Sequence, residues 1–175
     1  MAKRHDSLIP LSREHHSALV MALRIEREVP DADEQRLQEV YGTLIAFWAQ
    51  GLLPHFRAEN ECLLARLVRH VGAEDDLVRR TQRDHLGIEA LVALMHDTDD
   101  LEARRRLLLE FAGVIRAHIR WEEDMLFAET ERLLSGEEID ALGADVSERV
   151  GDGNAWEHKV WPGFGRGDTP SPASG

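Results

Sequence analysis

Two short phrases constrain this chain more than any other feature: His55-Phe56-Arg57-Ala58-Glu59 and His118-Ile119-Arg120-Trp121-Glu122. Each sets an imidazole four residues ahead of a carboxylate inside an apolar-periodic run. Residues four apart on an α-helix lie one turn above each other, so each phrase offers a nitrogen and an oxygen to the same point. That is half a metal site, and the chain carries it twice.

The periodicity around the phrases predicts four long helices. The first runs from an N-cap at Ser12 to Val29, where Pro30 and the Asp31/Asp33 pair stop it, with Leu11, His15, Ala18, Ala22, Ile25 and Val29 on one stripe. The second spans about Asp33 to His70 and faces Tyr41, Ile45, Trp48, Leu52, His55, Glu59 and Cys62 inward. Gly51 and Pro54 interrupt it, which predicts a kink or local loosening just before His55. Asp75 or Asp76 opens the third, which aligns Val78, Thr81, His85, Ile88, Val92 and Met95 and ends near Asp97-Thr98. The fourth begins at Asp99 or Asp100 and carries Leu108, Phe111, Ile115, His118, Glu122 and Met125 inward as far as Ser135-Gly136, with Arg104-Arg105-Arg106 on its solvated side. Short links between amphipathic helices of this length predict an all-α fold, an up-down-up-down four-helix bundle. A short extra helix follows from Glu137 to about Val150. The expected organisation is one domain over residues 8–150 and a mobile C-terminal tail over 151–175, in which Trp156, Trp161 and Phe164 could instead pack back as a flap.

At 175 residues the chain suits one such domain. Its 33 acidic residues against 21 basic ones give a net charge of -12, so the basic footprint of a nucleic-acid binder is missing. No run approaches the roughly 20 apolar residues needed to span a bilayer, and the amino terminus turns acidic at Asp6 before any apolar core. A cytoplasmic protein with no nucleic-acid or membrane partner is expected. The single Cys62 excludes an intrachain disulfide and a multi-cysteine zinc site, and reads as a small packed residue near Glu59.

One histidine interrupts each stripe: His15, His55, His85 and His118, each about a hairpin's round trip from the next. Burying four imidazoles beside Glu59 and Glu122 without partners would cost on the order of several kcal/mol, which a bound cation removes. Imidazole mixed with carboxylate suits iron, manganese or zinc, and two Glu residues able to bridge favour two ions over one. The chain has neither the Glu-x-x-His pair of ferritin-like di-iron proteins nor the His-Glu-x-x-His of zinc metalloproteases.

Four segments together resemble the hemerythrin-like, or HHE cation-binding, family in its bacterial form. They are Leu11-Ser12-Arg13-Glu14-His15-His16 with Ala18-Leu19, Leu52 through Glu59, Arg83-Asp84-His85, and His118 through Glu123 with Leu126-Phe127. The resemblance implies a bundle holding a non-heme, typically di-iron centre, with His15, His55, His85 and His118 as nitrogen ligands and Glu59 and Glu122 as bridging carboxylates. Mn or Zn could stand in for Fe. The chain departs from the family where oxygen carriers place a histidine four residues after the third-helix one, a position occupied here by Glu89. It departs again at Asn60, where bacterial members often carry a Glu. His16 could supply a fifth imidazole, but lies about 100° round the helix from His15. Glu89 could be a ligand or a solvated flank residue, and Glu123 fits a supporting or surface position. With an anionic or missing donor in place of the fifth histidine, an easily reached ferric state is expected. The expected function is binding of dioxygen, nitric oxide or iron, or redox sensing. An enzyme that turns over peroxide and a metal-free helical interaction module are the alternatives.

Overall fold

The computed structural model describes residues 4–162, and no strand occurs among them. A single 3-10 turn at Asp6–Leu8 leads into α1, Ile9–Glu28. The second rod is continuous but composite: α2 (Glu34–Phe47) and α3 (Leu53–Ala58) are joined through a π-helical turn at Trp48–Leu52. A second such turn at Glu59–Leu64 leads into α4 (Ala65–Val71). The third rod is α5 (Asp76–Asp97). The fourth is α6 (Leu101–Trp121), a π turn at Glu122–Leu126, and α7 (Phe127–Leu133). The extra helix α8, Gly136–Val150, starts with a capping box in which the Ser135 hydroxyl and the Glu138 carboxylate each accept the other residue's backbone N–H.

Asp33, Asp75 and Asp100 cap α2, α5 and α6 by accepting backbone N–H bonds. Ser12 does not cap α1. The helix begins three residues earlier, with Pro10 in its first turn, where a missing N–H costs nothing. The rods bury two apolar clusters. One holds Ala18 to Val29, Leu37 to Phe56, Ile88 to Met95 and Leu108 to Ile119. The other holds Leu8, Leu11, Ala58 to Leu67, Leu126, Phe127 and the inner face of α8, including a fully packed Cys62. On α1 the first cluster follows His15 in the chain, whereas on the second rod it mostly precedes Glu59, so the two rods run antiparallel. The six inward histidines and glutamates fall between the clusters on every rod.

The π turns correct two of the expected stripes. A π turn holds an extra residue, which rotates everything beyond it by about 100°. Leu37, Val40, Leu44 and Phe47 are therefore buried where Tyr41, Ile45 and Trp48 were expected, and the latter three sit half-buried on the flank. Likewise Leu126 and Phe127 turn inward while Met125 is 49% exposed. The loosening expected before His55 is the first π turn. Gly51 lies inside it, and Pro54 opens α3, so its missing N–H falls where the α ladder is already interrupted.

The Arg104-Arg105-Arg106 run is not a simple solvated face. Arg104 is buried beneath Tyr41, 4.5 Å from its ring, and donates to the carbonyls of Met95 and Thr98 at the end of α5. Arg105 donates to the carbonyls of Val29, Pro30 and Ala32 past the end of α1. Both satisfy carbonyls that helix ends leave without intrahelical partners.

After α8 the chain folds back as a flap. Trp156 packs against Phe47 with ring centroids 5.3 Å apart, Val160 is fully buried, and buried Arg24 donates to the Val160 carbonyl at 2.7 Å. Phe164 lies outside the described residues. The flap turns at Gly153, whose φ of +77° favours glycine and whose Cβ position would lie 2.1 Å from the Pro10 carbonyl oxygen. Gly153→Ala is expected to lift the flap and destabilise the chain by about 1–3 kcal/mol. Chemical denaturation with tryptophan emission checks it, and an unchanged midpoint and spectrum would contradict it.

Candidate metal centre

The rods deliver the six residues to one buried layer. His15 comes from the middle of α1 and His85 from the middle of α5. His55 and His118 sit in the last α turn before a π turn, and Glu59 and Glu122 are the first residues of those π turns. The two phrases thus have the same local structure. π turns are rare and concentrate at functional sites, because the extra residue re-aims side chains that a regular helix would stack elsewhere.

All four imidazoles point Nε2 inward. Glu59 Oε1 lies 3.3 Å from His55 Nε2 and 3.7 Å from His15 Nε2, while its Oε2 lies 3.2 Å from His85 Nε2. Glu122 Oε2 stands 3.2 Å from His15 Nε2 and 3.1 Å from His118 Nε2, with Oε1 3.7 Å from His85 Nε2. The six fall into two overlapping groups, His15–His55–Glu59–Glu122 and His85–His118–Glu59–Glu122. Within each, one ligand atom per residue lies within 4.8 Å of all the others. Either group could hold an ion, and both carboxylates are common to the two.

The packing around this layer is dry. Phe56 stacks on His85 at 3.9 Å and meets His118 edge-on at 5.7 Å, and Phe127 stacks on His15 at 5.2 Å. Glu59 and Glu122 have no solvent exposure. Eight buried polar atoms of the layer form no hydrogen bond among the described residues: Nε2 of His15 and His85, both ring nitrogens of His118, and both oxygens of Glu59 and Glu122. Orphaned atoms at this density are foreign to a settled core. Donor set and orphaned atoms both fit cations between the imidazoles and carboxylates.

Four residues face the outward ring nitrogens: Glu123, for which the sequence left a supporting position open, and Glu14, Asn60 and Asp84, to which it assigned no role. Glu123 accepts from His15 Nδ1 at 2.7 Å, Glu14 from His55 Nδ1 at 3.0 Å, and the Asn60 side-chain oxygen from His85 Nδ1 at 3.3 Å, while Asp84 stands 3.8 Å from His118 Nδ1. Each is the immediate chain neighbour of an inward residue and serves the histidine of an adjacent rod. Glu14 precedes His15 and holds His55, Asn60 follows Glu59 and holds His85, Asp84 precedes His85 and faces His118, and Glu123 follows Glu122 and holds His15. The four contacts form a closed ring around the bundle. An acidic or amide residue directly beside His15, Glu59, His85 and Glu122 was the sequence signal. Donation from Nδ1 leaves Nε2 as the nitrogen free to bind a cation.

Without metal, these contacts keep most of the layer charged. Burial pushes the His55 imidazole down, but Glu59 and Glu14 outweigh it and raise its pKa to about 9. His85 is likewise raised to about 9 against burial by Glu122 and Glu59, and His15 is raised well above its ordinary value by Glu122, Glu123 and Glu59. His118 goes the other way, because burial dominates. Burial opposes ionisation of Glu59 and Glu122 too, yet the surrounding imidazoles hold both below the ordinary carboxylate value.

Residues 7–143 match the hemerythrin HHE cation binding domain. The chain belongs to that family. Comparison with curated proteins and with solved structures yields no match. A hemerythrin-type fold accounts for the all-helical bundle and for a buried His/Glu layer able to hold metal. Of the outlying histidines in this hemerythrin-domain chain, His16 is exposed on the surface of α1 and His70 pairs with Glu138 at 3.0 Å. Glu89, half-buried one turn after His85, borders a shallow apolar groove with Trp48 and Leu53 and is not among the six clustered residues. No helix among the described residues is long and apolar enough to cross a membrane.

Proposed function

We propose that this protein is a non-heme di-iron binding protein that takes up dioxygen or nitric oxide for sensing or protection. In this reading residues 8–150 form the metal-binding domain, His15 and His55 would hold one ion, His85 and His118 would hold the other, and Glu59 and Glu122, common to both groups, would serve as the bridging carboxylates. The observation that carries it is the pair of four-residue groups sharing two carboxylates. Two imidazoles and two shared carboxylates per ion fall short of the six donors iron commonly takes, leaving room for a small ligand. Iron bound there would supply reversible one-electron chemistry toward such ligands. The chain's own residues set the imidazole orientation through the outer ring and exclude water through Phe56 and Phe127. Neither His16 nor Glu89 belongs to the two groups, so in this reading four nitrogens would serve two ions, and the shared anionic carboxylates favour the ferric state.

Metal analysis of protein from iron-replete cells is expected to return about two irons per chain. Stopped-flow mixing of the reduced protein with oxygen is expected to give rapid oxidation without a long-lived oxygen complex, and nitric oxide is expected to shift the optical spectrum. One zinc and no iron would overturn the di-iron reading. Sustained turnover of hydrogen peroxide, lost in Glu59→Gln, would move the assignment to a peroxide-consuming enzyme.

A further inference from the structure

The ring of outer contacts is built on a repeat whose two halves differ. The first half reads Glu14-His15 and then His55…Glu59-Asn60. The second reads Asp84-His85 and then His118…Glu122-Glu123. Position by position, Asn60 stands opposite Glu123 and Asp84 opposite Glu14. Because each outer residue serves the next rod, both differences fall on the same pair of histidines. His15 and His55 are backed by Glu123 at 2.7 Å and Glu14 at 3.0 Å, both carboxylates. His85 is backed by a neutral amide at 3.3 Å, and His118 faces a carboxylate one methylene shorter that stops 3.8 Å away. Glu123 also accepts from Arg4 at 2.9 Å through its other oxygen. The Asp84 carboxylate also pairs with Arg83 at 3.1 Å and Arg80 at 3.5 Å, so each half has an arginine on one outer carboxylate and the halves differ in the reach and charge of the outer residues. In keeping with that, both ring nitrogens of His118 are without a hydrogen bond.

We infer that the two metal positions are unequal: the His15–His55 position binds its ion tightly, and the His85–His118 position binds weakly and exchanges. A carboxylate on the far nitrogen makes an imidazole a stronger donor and fixes its orientation. Removing such a partner commonly costs 10- to 100-fold in metal affinity, about the gap expected between the two halves. An exchangeable second ion suits a centre that gains or loses one metal as its supply changes, while the first ion keeps the bundle assembled. The inference rests on the two-ion reading above and specifies how its two halves differ.

Chelator competition on the full-length, zinc-loaded protein tests it without any activity measurement. Zinc is expected to leave in two steps of one equivalent each, separated by roughly 10-fold or more in chelator concentration. Asn60→Asp and Asp84→Glu, which restore carboxylate backing to His85 and His118, are expected to shift the easily removed equivalent toward the tight one. Glu14→Gln with Glu123→Gln is expected to loosen the tight equivalent. Two equivalents leaving together in the parent would overturn the inequality and leave the two-ion reading standing. So would Asn60 and Asp84 variants that move neither step. A protein that never holds more than one equivalent would overturn both.

Discussion

Stripping the metal from the loaded protein is expected to lower its melting temperature by about 10 °C or more. A ligand that binds the folded chain and not the unfolded one stabilises it by about 4 kcal/mol when free metal is a thousand-fold above its dissociation constant. In a chain of this size each kcal/mol is worth about 2–4 °C. The structure gives a reason for the effect beyond mass action. The eight layer atoms without hydrogen bonds sit where water does not reach, between Phe56 and Phe127. Metal removal leaves the two glutamates with only the surrounding imidazoles as counter-charges. Calorimetry with and without a chelator checks the expectation, and a shift under about 2 °C would mean that the layer is content without metal. Glu122→Ala should weaken binding and lower stability together, because it removes a donor from both groups and leaves His15, His85 and His118 facing a cavity.

How much of this could be read from the chain depends on which physical rule governed each residue. Stripes on rods with uninterrupted i to i+4 bonding were legible. Every stripe residue named for α1 and α5, from Leu11 to Val29 and from Val78 to Met95, is buried. The stripes slipped where a π turn added a residue, at Tyr41, Ile45 and Met125, because a fixed period cannot register a local insertion. The turn behind the Met125 slip begins at Glu122, so there the His/Glu layer and the failure of periodicity share a cause, whereas the slip at Tyr41 and Ile45 belongs to the earlier turn at Trp48–Leu52. The helix starts at Asp33, Asp75 and Asp100 were legible from cap chemistry, while the α1 start was set by Pro10 and tertiary packing. Both Arg104 and Arg105 were misread because a charge run looks solvated until the carbonyls at two neighbouring helix ends are brought beside it. The inward histidines and glutamates announced themselves by interrupting apolar stripes. The outer ring was legible only at Glu123, left as supporting or surface, because Glu14, Asn60 and Asp84 lie at the margins of those stripes, where acidic and amide residues are ordinary.

Metal uptake is expected to release about three protons per chain near pH 7.5, with affinity falling steeply as the solution is acidified. The sign follows from the charged layer of the metal-free protein. His55 and His85 have pKa values raised to about 9 and His15 is raised well above its ordinary value, so all three imidazoles are protonated in the metal-free fold at neutral pH. An imidazole must be neutral to bind a cation, so each of the three gives up a proton. His118 is held low and Glu59 and Glu122 are already ionised, so they contribute none. Linkage then makes the combined affinity for both ions rise by about three powers of ten per pH unit, a slope that flattens as His55 and His85 deprotonate near pH 9. For the metal-free fold the dependence is opposite: stability from the raised histidines is fully present below 6.5 and is lost as pH rises through about 9. Raising the pH therefore strengthens the loaded state while weakening the empty one, and the gap in melting temperature between them should widen from pH 6.5 to 8.5. Calorimetric titration in two buffers of different ionisation enthalpy counts the protons directly. A count near zero would mean that the imidazoles are neutral before metal arrives and that the glutamates do not hold them charged. Fewer than two, with affinity still falling in acid, would place the proton on the Glu59–Glu122 pair instead.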